Sequence, residues 1–182
     1  MDYDSLYDNT LNYFGNPFPE VLKFFESRET MESVLDVGCG QGRNALPLSK
    51  MGFKVRAIDT SAVAIDQLSK KADNDNLAAE CLDLMEVANL EHFDFVLLDG
   101  FFHFYDHDVK KEKEQFQFIL NSMGREAQLV ICFAKHGDSL EKFDKMTAEL
   151  KRVYQEDISY EYVDPITELR FETKYSLVVL GK

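Results

Sequence analysis

Residues Ser33–Ala64 read SVLDVGCGQGRNALPLSKMGFKVRAIDTSAVA, and the rest of the chain is best understood outward from them. Ser33–Val37 is a short apolar run that ends in glycines, the pattern of a parallel strand buried on both faces. Gly38, Gly40 and Gly42 alternate with Cys39 and Gln41. Glycine at that density permits positive φ and lets the backbone come close to a ligand. A helix follows. Pro47 fits only its first turn, so it begins near Arg43 or Asn44, and Gly52 ends it. The N–H groups of the turn are expected to face whatever lies above the strand end, where polar or anionic groups bind. The second strand, Lys54–Ile58, ends in Asp59, a carboxylate placed to accept both hydroxyls of a ribose. The stretch therefore predicts a doubly wound α/β sheet with a nucleotide site at its strand ends.

A dinucleotide fingerprint is G-x-G-x-x-G. Here Arg43 stands where its third glycine falls, and Asp36 lies inside a strand position that is usually apolar. The stretch instead resembles motifs I and II of the class I S-adenosylmethionine (SAM) dependent methyltransferases, whose first motif is roughly (D/E)-x-G-x-G-x-G. Leu35–Ile65 is similar to the tellurite-resistance and thiopurine-type small-molecule methyltransferases. The resemblance implies a Rossmann-like sheet of seven mostly parallel strands with the last antiparallel. It implies SAM as donor, S-adenosylhomocysteine (SAH) as product and a small-molecule acceptor. On its motif positions the cofactor would meet Asp36, Gly38, Gly40, Gly42, Asn44, Asp59 and Thr60.

The 182 residues suit one domain, and 45% are hydrophobic. A formal net charge of −13 argues against a general binder of nucleic-acid backbones. No apolar run is long enough for a membrane span, and the acidic start MDYDSLYDNT lacks the features of a signal peptide. Cys39, Cys81 and Cys132 form no C-x-x-C pair. Each lies in or beside a predicted strand, so buried free thiols in a reducing cytoplasm are expected. The expected state is a monomer or a homodimer.

Residues 1–30 are expected to form a helical cover segment. Tyr3, Leu6, Tyr7, Leu11 and Phe14 recur at helical spacing, and a second helix runs from Pro19 to Arg28. In the resembled family this segment folds over the cofactor, a role that would suit Tyr3, Tyr7 and Phe14; packing of the sheet edge is the other reading. Thr60 or Ser61 caps the helix after Asp59. A third strand, Leu77–Leu82, precedes Asp83 and Leu84, which match the family's adenine position; Asp83 reads equally as a helix cap. The fourth strand, Phe93–Leu98, leads into Asp99-Gly100-Phe101-Phe102-His103-Phe104-Tyr105-Asp106-His107-Asp108. By the family's pattern Asp99 and Gly100 contact the methionine portion. His103 is placed to take a proton from the acceptor and Tyr105 to orient it; a packed, satisfied His103 is the other reading. His103 and His107 with Asp106 or Asp108 would suit a metal if they shared a helix face, but a third firm ligand is not visible and none is assigned. Further along, the run Lys110–Glu114 reads as a solvated face of the helix Val109–Met123, and Gln128–Ala134 is a fifth strand. Asp138–Glu141 resembles a capping box, with Leu140, Phe143, Met146 and Leu150 lining the helix that follows. Ile158–Val163 and Tyr175–Leu180 are the last strands, and residues 164–173 between them read as an insertion, with room for a short extra strand, in which Arg170 could meet an anionic group. A non-catalytic SAM-binding module and, with less support, a nicotinamide-dependent oxidoreductase are the alternative functions.

Overall fold

The computed structural model describes residues 3–28, 32–163 and 170–182. In chain order the elements are α1 (Tyr3–Asn9), α2 (Pro19–Glu26), β1 (Ser33–Val37), α3 (Ala45–Lys50), β2 (Lys54–Asp59), α4 (Ala62–Lys71) and β3 (Leu77–Cys81). A 3₁₀ turn at Leu84–Glu86 follows, then β4 (Phe95–Asp99), α5 (Val109–Ser122), β5 (Gln128–Ala134), α6 (Ser139–Met146), β6 (Lys151–Val163) and β7 (Arg170–Gly181). The seven strands lie in the order β3-β2-β1-β4-β5-β7-β6. β1 to β5 pair in parallel, and β7 runs antiparallel to both of its neighbours. The chain winds one way from β1 to β2 and the other way to β4, so the crevice at their carboxyl ends is the natural ligand position.

The apolar strands feed two cores because successive side chains leave opposite faces. On one face Leu35, Val37, Val96, Leu98, Leu129 and Ile131 pack with Phe116, Ile119 and Phe143 from α5 and α6. On the other, Val34, Phe95, Leu97 and Val130 pack with Val21, Phe24 and Phe25 of α2, Leu48 of α3 and Leu68 of α4. Each such side chain contributes about 1.5–3 kcal/mol when fully buried. Asn44 is the N-cap residue of α3 and Pro47 lies in its first turn, where no hydrogen bond is forfeited. Gly52 follows its end at φ 100°. Ser61 caps α4, its Oγ accepting from the Ala64 N–H at 3.1 Å.

The structure corrects several expectations. Cys39 and Cys132 are buried but Cys81 is exposed, because β3 is an edge strand that pairs only with β2. The Asp138–Glu141 box does not form: the Asp138 side chain makes no cap bond and pairs with Lys142 at 2.8 Å, while Ser139 Oγ accepts from His136 N. Leu140 faces solvent. β6 begins at Lys151, well before Ile158, and β7 begins at Arg170. Arg170–Thr173 are thus strand paired with Tyr160–Val163, and the exposed Arg170 guanidinium pairs with Glu161 at 3.1 Å. The remainder of the expected insertion, 164–169, lies outside the described residues.

Candidate active site

A cavity of about 440 Å³ opens at the carboxyl ends of β1, β2 and β4. Its floor is the glycine turn. Gly38, Gly40 and Gly42 have φ of 69°, 51° and 87°, in the left-handed region that side-chain-bearing residues avoid. The turn does not present the ring of free N–H groups its sequence suggested. Gly38 and Cys39 both donate to Ile58 O, Gly42 donates to Cys39 O, and Gly40 donates to Asp59 Oδ2 at 2.8 Å. The Gly38, Cys39 and Gly40 donors hold the turn against β2, and Gly38 and Gly40 line the cavity beside Cys39 and Gln41. Gly42 does not line it: it faces Leu68 of α4 and fixes the turn from behind.

Asp59 accepts from Gly40 N on one oxygen and from Ser61 N on the other, each at 2.8 Å. An ionised carboxylate has about four lone-pair sites, so capacity for two further donors remains on the cavity side. Thr60 lines the same wall. Asp83 plays the cap part: its Oδ1 accepts from Met85 N at 2.8 Å, and Glu86 Oε2 accepts from Asp83 N. Asp83 and the buried Leu84 also line the cavity.

Beneath the mouth lies a buried polar group of four residues. Asp99 Oδ2 accepts from Asn44 Nδ2 and pairs with Arg43 NH2, both at 2.7 Å. Arg43 was assigned no part from the sequence beyond displacing a fingerprint glycine. It leans over the Phe18 ring and donates to Phe14 O. Asp36 is 2% exposed; burial first, then the neighbouring Asp99 carboxylate, push its pKa to about 7. Asp36 Oδ2, Asn44 Oδ1 and Asp99 Oδ1 are buried acceptors without a hydrogen-bond partner. Of the unpartnered buried side-chain atoms among the described residues, these three belong to residues that line the cavity, where they stand as acceptors for a ligand's donors. Two carboxylates against one guanidinium leave this pocket short of positive charge.

The mouth is roofed by the N-terminal segment. Tyr3, Tyr7 and Phe14 line it and contact one another through their rings. Gln41 fastens the roof: it accepts from Tyr13 N and donates to Thr10 O, both at 2.8 Å, and also donates to Gln67 Oε1. Gln67 in turn donates to Tyr7 O. Opposite stand Gly100, Phe101, His103, Lys111 and Gln115. His103 is exposed and lines the cavity, while Tyr105 is absent from the lining and stacks on His103 and His136 outside it. Residues 103–107 are loop, so His103 and His107 share no helix face. One ligand atom each from His103, Asp108 and Glu112 lies within 4.8 Å of the others. The run Lys110–Glu114 is not wholly solvated, since Lys111 lines the cavity and Glu112 is 4% exposed.

A family model described as tellurite resistance protein TehB matches residues 20–175. The chain belongs to the TehB family. It is 33% identical over 88 residues to a probable S-adenosyl-L-methionine-dependent methyltransferase TehB of Haemophilus influenzae, covering 44% of this chain and 31% of that protein. It is 31% identical over 80 residues to a 2-heptyl-1-hydroxyquinolin-4(1H)-one methyltransferase of Mycobacteroides abscessus, covering 44% and 35%. The chain thus spans about a third of the length of these relatives. The fold of TehB from Haemophilus influenzae superimposes with a TM-score of 0.72 at 18% identity, over 91% of this chain and 62% of that one. A chain from work on the conversion of a disulfide bond into a thioacetal group during echinomycin biosynthesis gives 0.81 at 20% identity, over 99% and 91%. This TehB-family chain is of the class I SAM-dependent methyltransferase type in sequence family and in fold.

The residues present fit that cofactor. The orphaned oxygens of Asp36, Asn44 and Asp99 suit the donors of an α-ammonium group, and Asp59 keeps acceptor capacity for ribose hydroxyls. A pH dependence follows. The folded pKa of Asp36 lies above its unfolded value, so the ligand-free protein loses stability as pH rises from about 4 towards 7. If Asp36 meets the ammonium group of SAH, which would favour its carboxylate, binding is expected to release a proton and to tighten from about pH 6 to pH 8. Asp36→Asn is expected to flatten both slopes, read by calorimetry in buffers of different ionisation enthalpy and by denaturant midpoints. Affinity independent of pH would remove Asp36 from the ammonium position.

Proposed function

We propose that this chain transfers a methyl group from SAM to a small-molecule acceptor seated between the aromatic roof and the loop after β4. The observation that carries the reading is the set of unpaired buried oxygens on Asp36, Asn44 and Asp99 beside the glycine turn that lines the cavity. Bound SAM would supply a methyl group already activated on a sulfonium.

The protein's part is then alignment and exclusion of water. Asp59 would accept from the ribose, Asp83 and Leu84 would flank the adenine, Gly38, Gly40, Thr60 and Gly100 would shape the cradle, and Gly42 would hold the turn against Leu68 from behind. Tyr3, Tyr7 and Phe14 close the site from above. Their ring faces suit a positive sulfur. His103, on the acceptor side, would take a proton from a hydroxyl, thiol or amine. Tyr105, stacked on its outer face, would steady that imidazole. The enclosed mouth favours small acceptors, and the name of the Mycobacteroides abscessus relative, a 2-heptyl-1-hydroxyquinolin-4(1H)-one methyltransferase, supports that class. The free thiols, one of them exposed, support work in a reducing cytoplasm. Among the described residues no helix is long and apolar enough to cross a membrane.

The test has two parts. SAM and SAH at about one hundred times Kd should raise the melting temperature by roughly 5–10 °C, and NAD should not. A rise with NAD alone would reject the cofactor. Product assays with SAM and a panel of thiols, phenols, amines and chalcogen oxyanions should give one methylated class. Binding without turnover across the whole panel would overturn the catalytic reading in favour of a SAM-binding module.

A further inference from the structure

We propose that Glu112 is a positioning residue which, with Lys142 and His136, clamps a strained two-residue segment so that His103 is presented at the acceptor mouth. The proposal deepens the reading given above and rests on it for the role of His103. The clamp itself is tested separately.

Phe104 is a side-chain-bearing residue at φ 60°. An aromatic residue is disfavoured there and persists only where its surroundings over-determine it. Here they do. Glu112 Oε1 accepts from His103 N at 2.6 Å and from Phe104 N at 3.1 Å. Lys142 Nζ donates to Phe104 O at 2.9 Å, and His136 Nε2 lies 2.6 Å from His103 O. All four backbone polar groups of these two residues are therefore held by side chains from α5, α6 and the loop before α6. The Phe104 ring is 2% exposed and locked against Phe133 and Phe143. The one side chain the segment sends to the cavity is His103.

Glu112 sits within a run of alternating Lys and Glu, yet it is 4% exposed. A buried carboxylate needs partners, and its hydrogen-bond partners are these two amides. Lys142 is itself held between Asp106 and Asp138. Strain gathered at one loop, held by ionisable side chains and topped by an imidazole, has the form of preorganisation.

The experiment uses the full chain saturated with SAH. In the wild type the His103 and Phe104 amides should exchange at least 100-fold more slowly than in an unstructured peptide, and the His103 ring should give one set of signals. Glu112→Ala should bring both amides within tenfold of the unstructured rate and multiply the ring signals, with the SAH Kd changed less than twofold. Glu112→Gln keeps a carbonyl acceptor and should restore protection. Lys142→Met, which leaves the buried carboxylate in place, should give a partial loss and covers the case in which Glu112→Ala does not fold. Protection undiminished in Glu112→Ala or, failing that variant, in Lys142→Met would overturn the clamp. So would a parallel loss of SAH affinity. Selective broadening of His103, Asp108 and Glu112 by substoichiometric Mn²⁺ would assign Glu112 to a cation site and overturn it as well. Initial rates of His103→Ala across the acceptor panel test the base independently: wild-type rates there would sink the reading of His103 and leave the exchange results standing.

Discussion

Asp59→Ala is expected to weaken SAM and SAH binding by roughly 100-fold or more. The carboxylate stands at the end of β2, lines the cavity and ties the glycine turn to the strand through Gly40 N. On the proposed reading, two charge-assisted hydrogen bonds to ribose hydroxyls, each worth about 1.5–3 kcal/mol, would be lost together. The loss also frees Gly40 N and Ser61 N, so the cradle loosens where the ligand lies. Asp59→Asn keeps one acceptor oxygen and should fall between the two. Calorimetric titration with SAH reads the affinity, and circular dichroism checks that the sheet survives. Unchanged affinity in Asp59→Ala would remove this carboxylate from the site.

The second large effect is on the fold. Gly42→Ala places a methyl group at φ 87° in collision with Leu68 Cδ1, with Leu46 Cγ only 3.2 Å away. Leu68 is fully buried, so it has nowhere to move. The left-handed conformation costs about 1–2 kcal/mol for a side-chain-bearing residue, and overpacking adds about 1–3 kcal/mol. The melting temperature should fall by roughly 5–15 °C. Gly52→Ala is the control. Its φ is also positive, at 100°, but no atom lies within 4 Å of the added methyl, so only the conformational part of the loss should remain. Equal losses in the two variants would show that the contact with Leu68 is not what excludes a side chain from the turn.

The fold was legible because its signals are local. A buried strand, a glycine turn, a helix with proline in its first turn and a carboxylate after the next strand occupy a few dozen consecutive residues. The places of Asp36 within β1 and Asp59 at the end of β2 follow from that spacing, and Asp99 closes the separate apolar run of β4. What escaped was set by partners distant in sequence. Glu112 stands in a run whose neighbours Lys110, Lys111, Lys113 and Glu114 are exposed. Nothing in the run marks one carboxylate as turned inward to hold the amides of His103 and Phe104. Arg43 read as a missing glycine, and its pairing with Asp99 spans more than fifty residues of sequence. The early part of β6 was missed because Lys151–Asp157 lies on a sheet edge and lacks the apolar alternation of a half-buried strand. The glycine turn was located correctly and its donors misassigned, since hydrogen bonds to Ile58 O and Asp59 are tertiary facts.

The place of β7 between β5 and β6 has a consequence for synthesis on the ribosome. β6 is made before β7 but touches the sheet only through it, so it cannot dock on arrival. Until Arg170–Gly181 has emerged, β5 is an unpaired edge carrying Leu129, Val130, Ile131 and Phe133. Such an edge is a template for wrong pairing, and the nascent chain depends on its late-made strand to close it.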